Sequence, residues 1–181
     1  MSLKEKYISE IRAALQNTFH YKSVAGAPRF TKVVVNVGFG KLLKDAKIQE
    51  AVRSTLEHIT GQKSVFTKAR KSISNFKVRE GQIIGAKVTL RGARMYDFID
   101  KLINITFPRV RDFRGLSEKS FDQRGNLAIG FKEHVAFPEV RSDEVDRLHG
   151  LEVAVTTDAK TPEEAKMLFR LAGFPLQKIT K

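Results

Sequence analysis

The chain has 181 residues, neither Cys nor Trp, and a formal net charge of +13, with an isoelectric point near 10.1. That length makes one ordinary domain, and 41% hydrophobic with 29% charged residues excludes wholesale disorder. Zero Cys excludes a disulfide scaffold, a thiolate metal site and a Cys nucleophile, which suits a reducing cytoplasm, and the basic excess points to a polyanion: nucleic acid first, anionic membrane second.

Leu3, Tyr7, Ile11, Ala14, Leu15, Thr18 and Phe19 recur at helical spacing and predict an amphipathic helix over 3–19. Lys4, Glu5, Lys6, Glu10 and Arg12 interrupt its apolar residues, so residues 1–20 lack a signal-peptide core. No apolar run reaches the roughly 20 residues that span a bilayer, so a soluble protein is expected. The β-branched run 31–37 predicts a strand ended by Gly38 and Gly40. Ile48, Ala51, Val52, Leu56 and Ile59 predict a helix stopping at Gly61. Strand pieces are expected at Ser64–Arg70 and Phe76–Arg79, a turn at Gly81, and the clearest strand at Ile83–Arg91.

Gly92 breaks that strand, and Met95, Phe98, Leu102 and Ile105 mark a helix ending before Pro108. Residues 108–126 read as a long loop, a feature often tied to function. Leu127–Lys132 and Leu151–Thr157 are further strands. Thr161-Pro162-Glu163-Glu164 has the form of a capping box opening a last helix, which Gly173 and Pro175 close. Strands joined by short turns between 63 and 91 break any parallel alternation. The expectation is an α+β domain over 1–181: a mainly antiparallel sheet of about five strands, helices packed on one side, and long loops.

The charge is concentrated. From Lys63 to Arg94 there are nine basic residues and the single acid Glu80, which places +8 in one strand-rich window. From Glu139 to Glu152 the sign reverses, with Glu139, Asp143, Glu144, Asp146 and Glu152 against Arg141 and Arg147. Side chains alternate across a strand, so Ile84, Ala86, Val88 and Leu90 share a core face and Gly85, Lys87, Thr89 and Arg91 the opposite one. In 32–38 the valines 33, 35 and 37 oppose Lys32, Val34, Asn36 and Gly38. Cations, amide and hydroxyl donors, and small residues allowing close approach together suit a phosphate backbone. An ordinary solvated sheet face is the bland reading of the same pattern.

Enzyme readings fail on spacing. With Gly40-Lys41 as the Gly-Lys pair, a phosphate loop needs Gly at 35 and Ser or Thr at 42, where Val35 and Leu42 stand. A nucleotide-dependent enzyme built on the 33–41 glycine loop is thus the weaker alternative. His20, His58, His134 and His149 lack metal-ligand spacing, and no cofactor is expected. A peripheral membrane role is disfavoured because the cations lie on strands rather than on a basic amphipathic helix.

Several pieces taken together are more specific: 35–40 (VNVGFG), 59–63 (ITGQK), 68–73 (KARKSI), 77–81 (KVREG), 87–92 (KVTLRG), Met95-Tyr96, 108–115 (PRVRDFRG) and 121–126 (FDQRGN). In order and spacing they resemble the family of the bacterial large-subunit ribosomal protein number five, nearly end to end. Phe39 and Val34 depart mildly, at positions where the family varies among apolar residues. The resemblance implies a structural, 5S rRNA-binding constituent of the large ribosomal subunit, located in its central protuberance in the cytoplasm. It implies an rRNA face carried by Asn36, Gly38, Thr67, Lys68, Arg70, Lys71, Ser72, Lys87, Thr89 and Arg91, to which the polar strand face adds Lys32. The segment Ser74–Gly81 resembles the hairpin that reaches P-site tRNA, carried here by Ser74, Asn75, Phe76, Lys77 and Arg79; Phe76 has the chemistry to stack on a base, although a strand Phe is more often core. The region 134–150 resembles the part that faces the small-subunit head protein number thirteen in an intersubunit bridge. That assigns Glu139, Asp143, Glu144 and Asp146, with Arg109, Arg111 and Arg114 of the long loop as a lesser candidate. The head protein is basic in the family, which accounts for the acidic segment. Large-subunit rRNA and neighbouring ribosomal proteins complete the implied partners, with no membrane and no small-molecule substrate.

Overall fold

The computed structural model describes residues 2–40, 46–140 and 148–177. Five strands, β1 (Phe30–Gly38), β2 (Val65–Lys68), β3 (Ile83–Leu90), β4 (Leu127–Phe131) and β5 (Leu151–Thr157), form one antiparallel sheet in the order β2-β3-β1-β5-β4. With four main helices this is the α+β architecture expected from the pattern of strands and turns. The chain divides into two compact units: residues 1–33, 90–129 and 154–181 form unit 1, and residues 34–89 and 130–153 form unit 2.

In unit 1, helix α1 begins as Leu3–Lys6, widens through a π turn at Tyr7–Ile11 and continues as Arg12–Phe19. Its start is a capping box: the Ser2 hydroxyl accepts from Glu5 N–H at 3.3 Å and the Glu5 carboxylate accepts from Ser2 N–H at 2.9 Å. Leu3, Tyr7, Ile11 and Leu15 are buried, whereas Thr18 is exposed and turns its hydroxyl back to the Ala14 carbonyl at 2.9 Å.

Helix α3 runs Gly92–Lys101, passes through a π turn at Leu102–Thr106 and ends with Phe107–Arg109. It therefore continues past Pro108, where the sequence predicted its end. Met95, Phe98 and Leu102 are buried as expected, but a π turn widens the helix by one residue, which moves the next buried positions to Thr106 and Phe107 and leaves Ile105 44% exposed.

Helix α4 (Pro162–Ala172) is capped at Thr161, whose hydroxyl accepts from Glu164 N–H at 3.3 Å. The Glu164 carboxylate accepts not from Thr161 but from Lys160 N–H, at 2.9 Å, so the box closes one residue early. Gly173 ends the helix at φ 98°, a left-handed conformation that glycine takes without a Cβ penalty. The core of unit 1 is aromatic: Phe30 lies 5.3 Å from Phe169 and 6.2 Å from Tyr96, and Phe174 lies 4.8 Å from Phe169. Edge-to-face pairs of this kind add to the burial of their large apolar area.

In unit 2, helix α2 (Ala46–Thr60) buries Val52, Leu56 and Ile59, while Ala51 faces solvent. Val35 and Val37 of β1 and Ala86 and Val88 of β3 are buried with them. The Arg53 guanidinium lies 4.9 Å over the Phe66 ring, and Phe39 meets the same ring edge-on at 6.1 Å. The strand expected at Phe76–Arg79 is absent. Ser74–Phe76 is a single 3-10 turn and Lys77 is left-handed at φ 53°, so the backbone reverses there instead of extending. Strand β2 is also shorter than the predicted 64–70, because the ladder with β3 slips by a bulge between Thr67 and Lys68.

Candidate nucleic-acid interface

The sheet surface of unit 2 follows from the register of its strands. Strand β2 pairs antiparallel with β3, placing Val65 opposite Lys87, Phe66 opposite Ala86 and Thr67 opposite Gly85. Phe66 and Ala86 point to the core, so Val65, Thr67, Gly85, Lys87 and Thr89 point the other way. Along β1, Asn36 and Gly38 alternate with the buried Val35, Val37 and Phe39, and Phe39 N–H donates to the Ile84 carbonyl at 2.9 Å. Lys87 and Gly38 are exposed, Asn36, Thr67 and Thr89 half-buried, and Val65 is 62% exposed. The two-sided strand reading therefore holds: one face is core, and the other carries a cation, an amide, two hydroxyls and two glycines.

The glycines serve different ends. A Cβ on Gly85 would lie 2.6 Å from the Val37 carbonyl oxygen and 2.9 Å from Thr67 Oγ1, so the β1–β3 approach requires glycine. A Cβ on Gly38 would meet nothing within 4 Å, and its φ lies outside the left-handed region. The fold does not demand glycine at 38, and there it leaves an open, flat place beside Asn36.

Between β2 and β3 the chain extends as a hairpin. Ala69 N–H donates to the Gln82 carbonyl at 2.8 Å and Gly81 N–H to the Ala69 carbonyl at 3.0 Å, closing the base. Ile73 and Val78 exchange backbone hydrogen bonds of 2.9 and 3.2 Å, closing the tip. The Ser72 hydroxyl accepts from Glu80 N–H at 2.9 Å, so Ser72 braces the hairpin. Arg70, Lys71, Ser74, Asn75, Lys77 and Arg79 are all exposed, and Phe76 is 71% and Ile73 47% exposed. An apolar tip ringed by cations has replaced the expected strand, and Phe76 is not a core residue.

One positioning element escaped the sequence reading. Glu57, on the last turn of α2, accepts through Oε1 from Ser64 N–H at 2.9 Å, Ser64 Oγ–H at 3.0 Å and Arg53 Nε–H at 3.2 Å. The backbone bond from Ser64, against a desolvation cost, with the Ser64 hydroxyl and Arg53, holds the carboxyl below its ordinary pKa. Gln62 Nε2–H donates to the Thr89 carbonyl at 3.0 Å. Together these ties fix the 61–64 turn against α2 and β3, and with it the start of β2. The signal was present as 61–64 (GQKS) directly after a helix, but no spacing rule links a helix carboxylate to a buried serine seven residues on.

Lys32 is half-buried and Arg91 exposed, and both belong to unit 1. The structure therefore gathers Asn36, Gly38, Thr67, Lys68, Arg70, Lys71, Ser72, Lys87 and Thr89 into unit 2 and leaves those two in the other unit. Of the acidic candidates, Glu139 is half-buried, while Asp143, Glu144 and Asp146 lie outside the described residues. Five residues before Glu139 in the chain, the fully buried His134 ring stacks on His149 at 4.0 Å, and His134 N–H donates to the His149 carbonyl at 3.1 Å. Arg109, Arg111 and Arg114 are exposed on unit 1. Among the described residues, no cluster of three or more His, Asp or Glu is placed to hold a metal, and no helix is long and apolar enough to cross a membrane.

Two family profiles match. Residues 23–79 match that described as Ribosomal protein L5, and residues 83–176 match the profile for the C-terminus of the same ribosomal family. Curated relatives match almost end to end. The large ribosomal subunit protein uL5 of Halothermothrix orenii is 53% identical over 173 residues, covering 96% of this chain and 97% of that protein. The protein of the same name from Heliobacterium modesticaldum is 54% identical over 175 residues, 97% of each chain. That from Brevibacillus brevis is 51% identical over 176 residues, 97% of this chain and 98% of the relative.

Proposed function

The chain belongs to the ribosomal protein L5 family, and from that premise we propose that it binds 5S rRNA through the sheet face of unit 2 and helps attach it in the central protuberance. As a member of the family it is a non-enzymatic structural component of the large ribosomal subunit, with rRNA and ribosomal proteins as its neighbours. No catalysis on the 33–41 loop is needed to account for it.

The observation that carries the 5S reading is the outward face of β1, β2 and β3. Lys87 supplies charge there, Asn36, Thr67 and Thr89 supply donors, and Gly38 leaves room for a close approach. Phosphate contacts of this kind fix register on a nucleic acid and dominate its affinity. Lys68, Arg70 and Lys71 extend the positive surface into the base of the hairpin.

The hairpin tip is assigned to P-site tRNA. Phe76 offers a stacking surface, Lys77 and Arg79 offer charge, and a short braced hairpin presents all three. The acidic segment containing Glu139, Asp143, Glu144 and Asp146 is assigned to the basic small-subunit head protein number thirteen, by charge complementarity. A filter-binding titration against 5S rRNA and against an unrelated RNA of equal length, over a salt series, tests the first assignment. Preferential binding to 5S rRNA that weakens with salt is expected, and equal affinity for both RNAs would overturn it.

A further inference from the structure

The hairpin between β2 and β3 has unequal arms. Its base closes at Ala69, Gly81 and Gln82, and its tip at Ile73 and Val78. Between those closures residues 70–72 form the outgoing arm, and only residues 79 and 80 the return. A regular antiparallel ladder pairs residues one to one. Here, among the described residues, no backbone hydrogen bond joins 70–72 to 79 or 80. Side chains take the place of the missing rung. Ser72 Oγ accepts from Glu80 N–H across the arms, at 2.9 Å. Gln82 Oε1 accepts from Arg79 N–H at 3.0 Å. The Gln82 backbone holds the same turn, its N–H donating to the Arg79 carbonyl at 3.1 Å and its carbonyl accepting from Ala69 N–H at 2.8 Å. Gln82 thus ties the returning arm to Ala69, which is buried in unit 2.

The tip has no other support. Among the described residues, the hydrogen bonds of 73–77 are the Ile73–Val78 pair and Lys77 N–H to the Ser74 carbonyl at 2.9 Å, and Phe76 touches no other ring. All of these lie inside the hairpin. The place of Phe76 relative to the sheet is therefore set by the base, the Ile73–Val78 pair and the two side-chain acceptors. A lone two-stranded hairpin is marginal in water, so each acceptor removes conformations that the tip would otherwise sample. A tip that is already ordered loses less conformational entropy when it engages a ligand.

We propose that Ser72 and Gln82 are positioning residues for tRNA: their side chains hold the hairpin in the shape that presents Phe76, and they act through the tip rather than by touching the tRNA. The inference rests on the assignment of the tip to P-site tRNA. The test uses large subunits reconstituted with the full chain and joined to wild-type small subunits, each preparation verified to contain the chain and 5S rRNA. The forms are wild type, Ser72→Ala, Ser72→Thr, Gln82→Met, Phe76→Ala, and Phe76→Ala combined with Ser72→Ala or with Gln82→Met. The rate of tRNA release from the P site is read by filter binding.

Ser72→Ala and Gln82→Met are each expected to speed release by about two- to fivefold, the scale of one net hydrogen bond. Ser72→Thr keeps the hydroxyl and is expected to release tRNA as wild type does. In the Phe76→Ala background neither change should add to the effect, because residues that act through one another are not additive. Wild-type release in Ser72→Ala and Gln82→Met beside faster release in Phe76→Ala overturns this inference alone. So does full additivity with Phe76→Ala, or a Ser72→Thr variant as fast as Ser72→Ala. Wild-type release in Phe76→Ala overturns the assignment of the tip to tRNA, and this inference with it.

Discussion

Glu57 Oε1 accepts from both the backbone N–H and the hydroxyl of Ser64, at 2.9 and 3.0 Å. This joins the last turn of α2 to the residue just before β2, and Ser64 is only 4% exposed. An unsatisfied donor buried there would cost its desolvation energy. Glu57→Ala is therefore expected to lower stability by about 1–3 kcal/mol, read from the urea midpoint. Because the Glu57 carboxyl is held below its ordinary pKa, its contribution is fully present above about pH 4.3, the unfolded value, and is lost as the pH falls through the folded value. The acid limb of stability against pH should be shallower in Glu57→Gln than in wild type; identical limbs would refute the tie.

The sheet glycines make an opposed pair of predictions. Gly85→Ala drives a methyl group into the Val37 carbonyl and is expected to cost about 1–3 kcal/mol, the range for overpacking. Gly38→Ala meets nothing within 4 Å and should leave thermal stability unchanged or slightly raised, because the unfolded chain loses freedom. If RNA lies against this face, Gly38→Ala will still bind 5S rRNA more weakly. Equal stability losses in the two variants would contradict the division of roles.

Tyr7 is buried and donates its hydroxyl to the Pro28 carbonyl at 3.0 Å, and burial pushes its pKa up to about 12. Its raised pKa stabilises the fold fully below about pH 10, the unfolded value, and that contribution disappears as the pH rises through about 12. Tyr7→Phe should cost about 1 kcal/mol at neutral pH and flatten the alkaline limb of the stability curve. An unchanged melting temperature would remove this bond from the account of unit 1.

Phe76, at 71% exposure, contributes little to the core, so Phe76→Ala should shift stability by no more than about 0.5 kcal/mol. If it stacks on tRNA, the same change should weaken tRNA binding by about 1–3 kcal/mol and leave 5S rRNA binding intact. Unaltered tRNA affinity would return the hairpin tip to a solvated loop.

Much of this was legible because strands and helices impose periods. The alternation of 83–91 gave both faces of β3, and Lys87, Thr89 and Gly85 stand where it put them. Where the period itself changes, it misled: the π turn at Leu102–Thr106 exposed Ile105 and carried α3 past Pro108. Phe76 was ambiguous between core and tip because its exposure depends on Lys77 adopting a left-handed backbone, which composition does not announce. The Glu57–Ser64 tie and the clamp of Phe113 on Phe107 are tertiary contacts between side chains whose spacing carries no rule. The acidic candidates Asp143, Glu144 and Asp146 lie outside the described residues and rest on the family resemblance and on charge complementarity.

The central claim is that this chain carries 5S rRNA. Tagged chain recovered from dissociated large subunits, with its bound RNA quantified, tests it most directly. The account predicts 5S rRNA in about equimolar amount, released progressively as salt is raised. Recovery of the chain without 5S rRNA, under conditions that leave the protein folded, would contradict it.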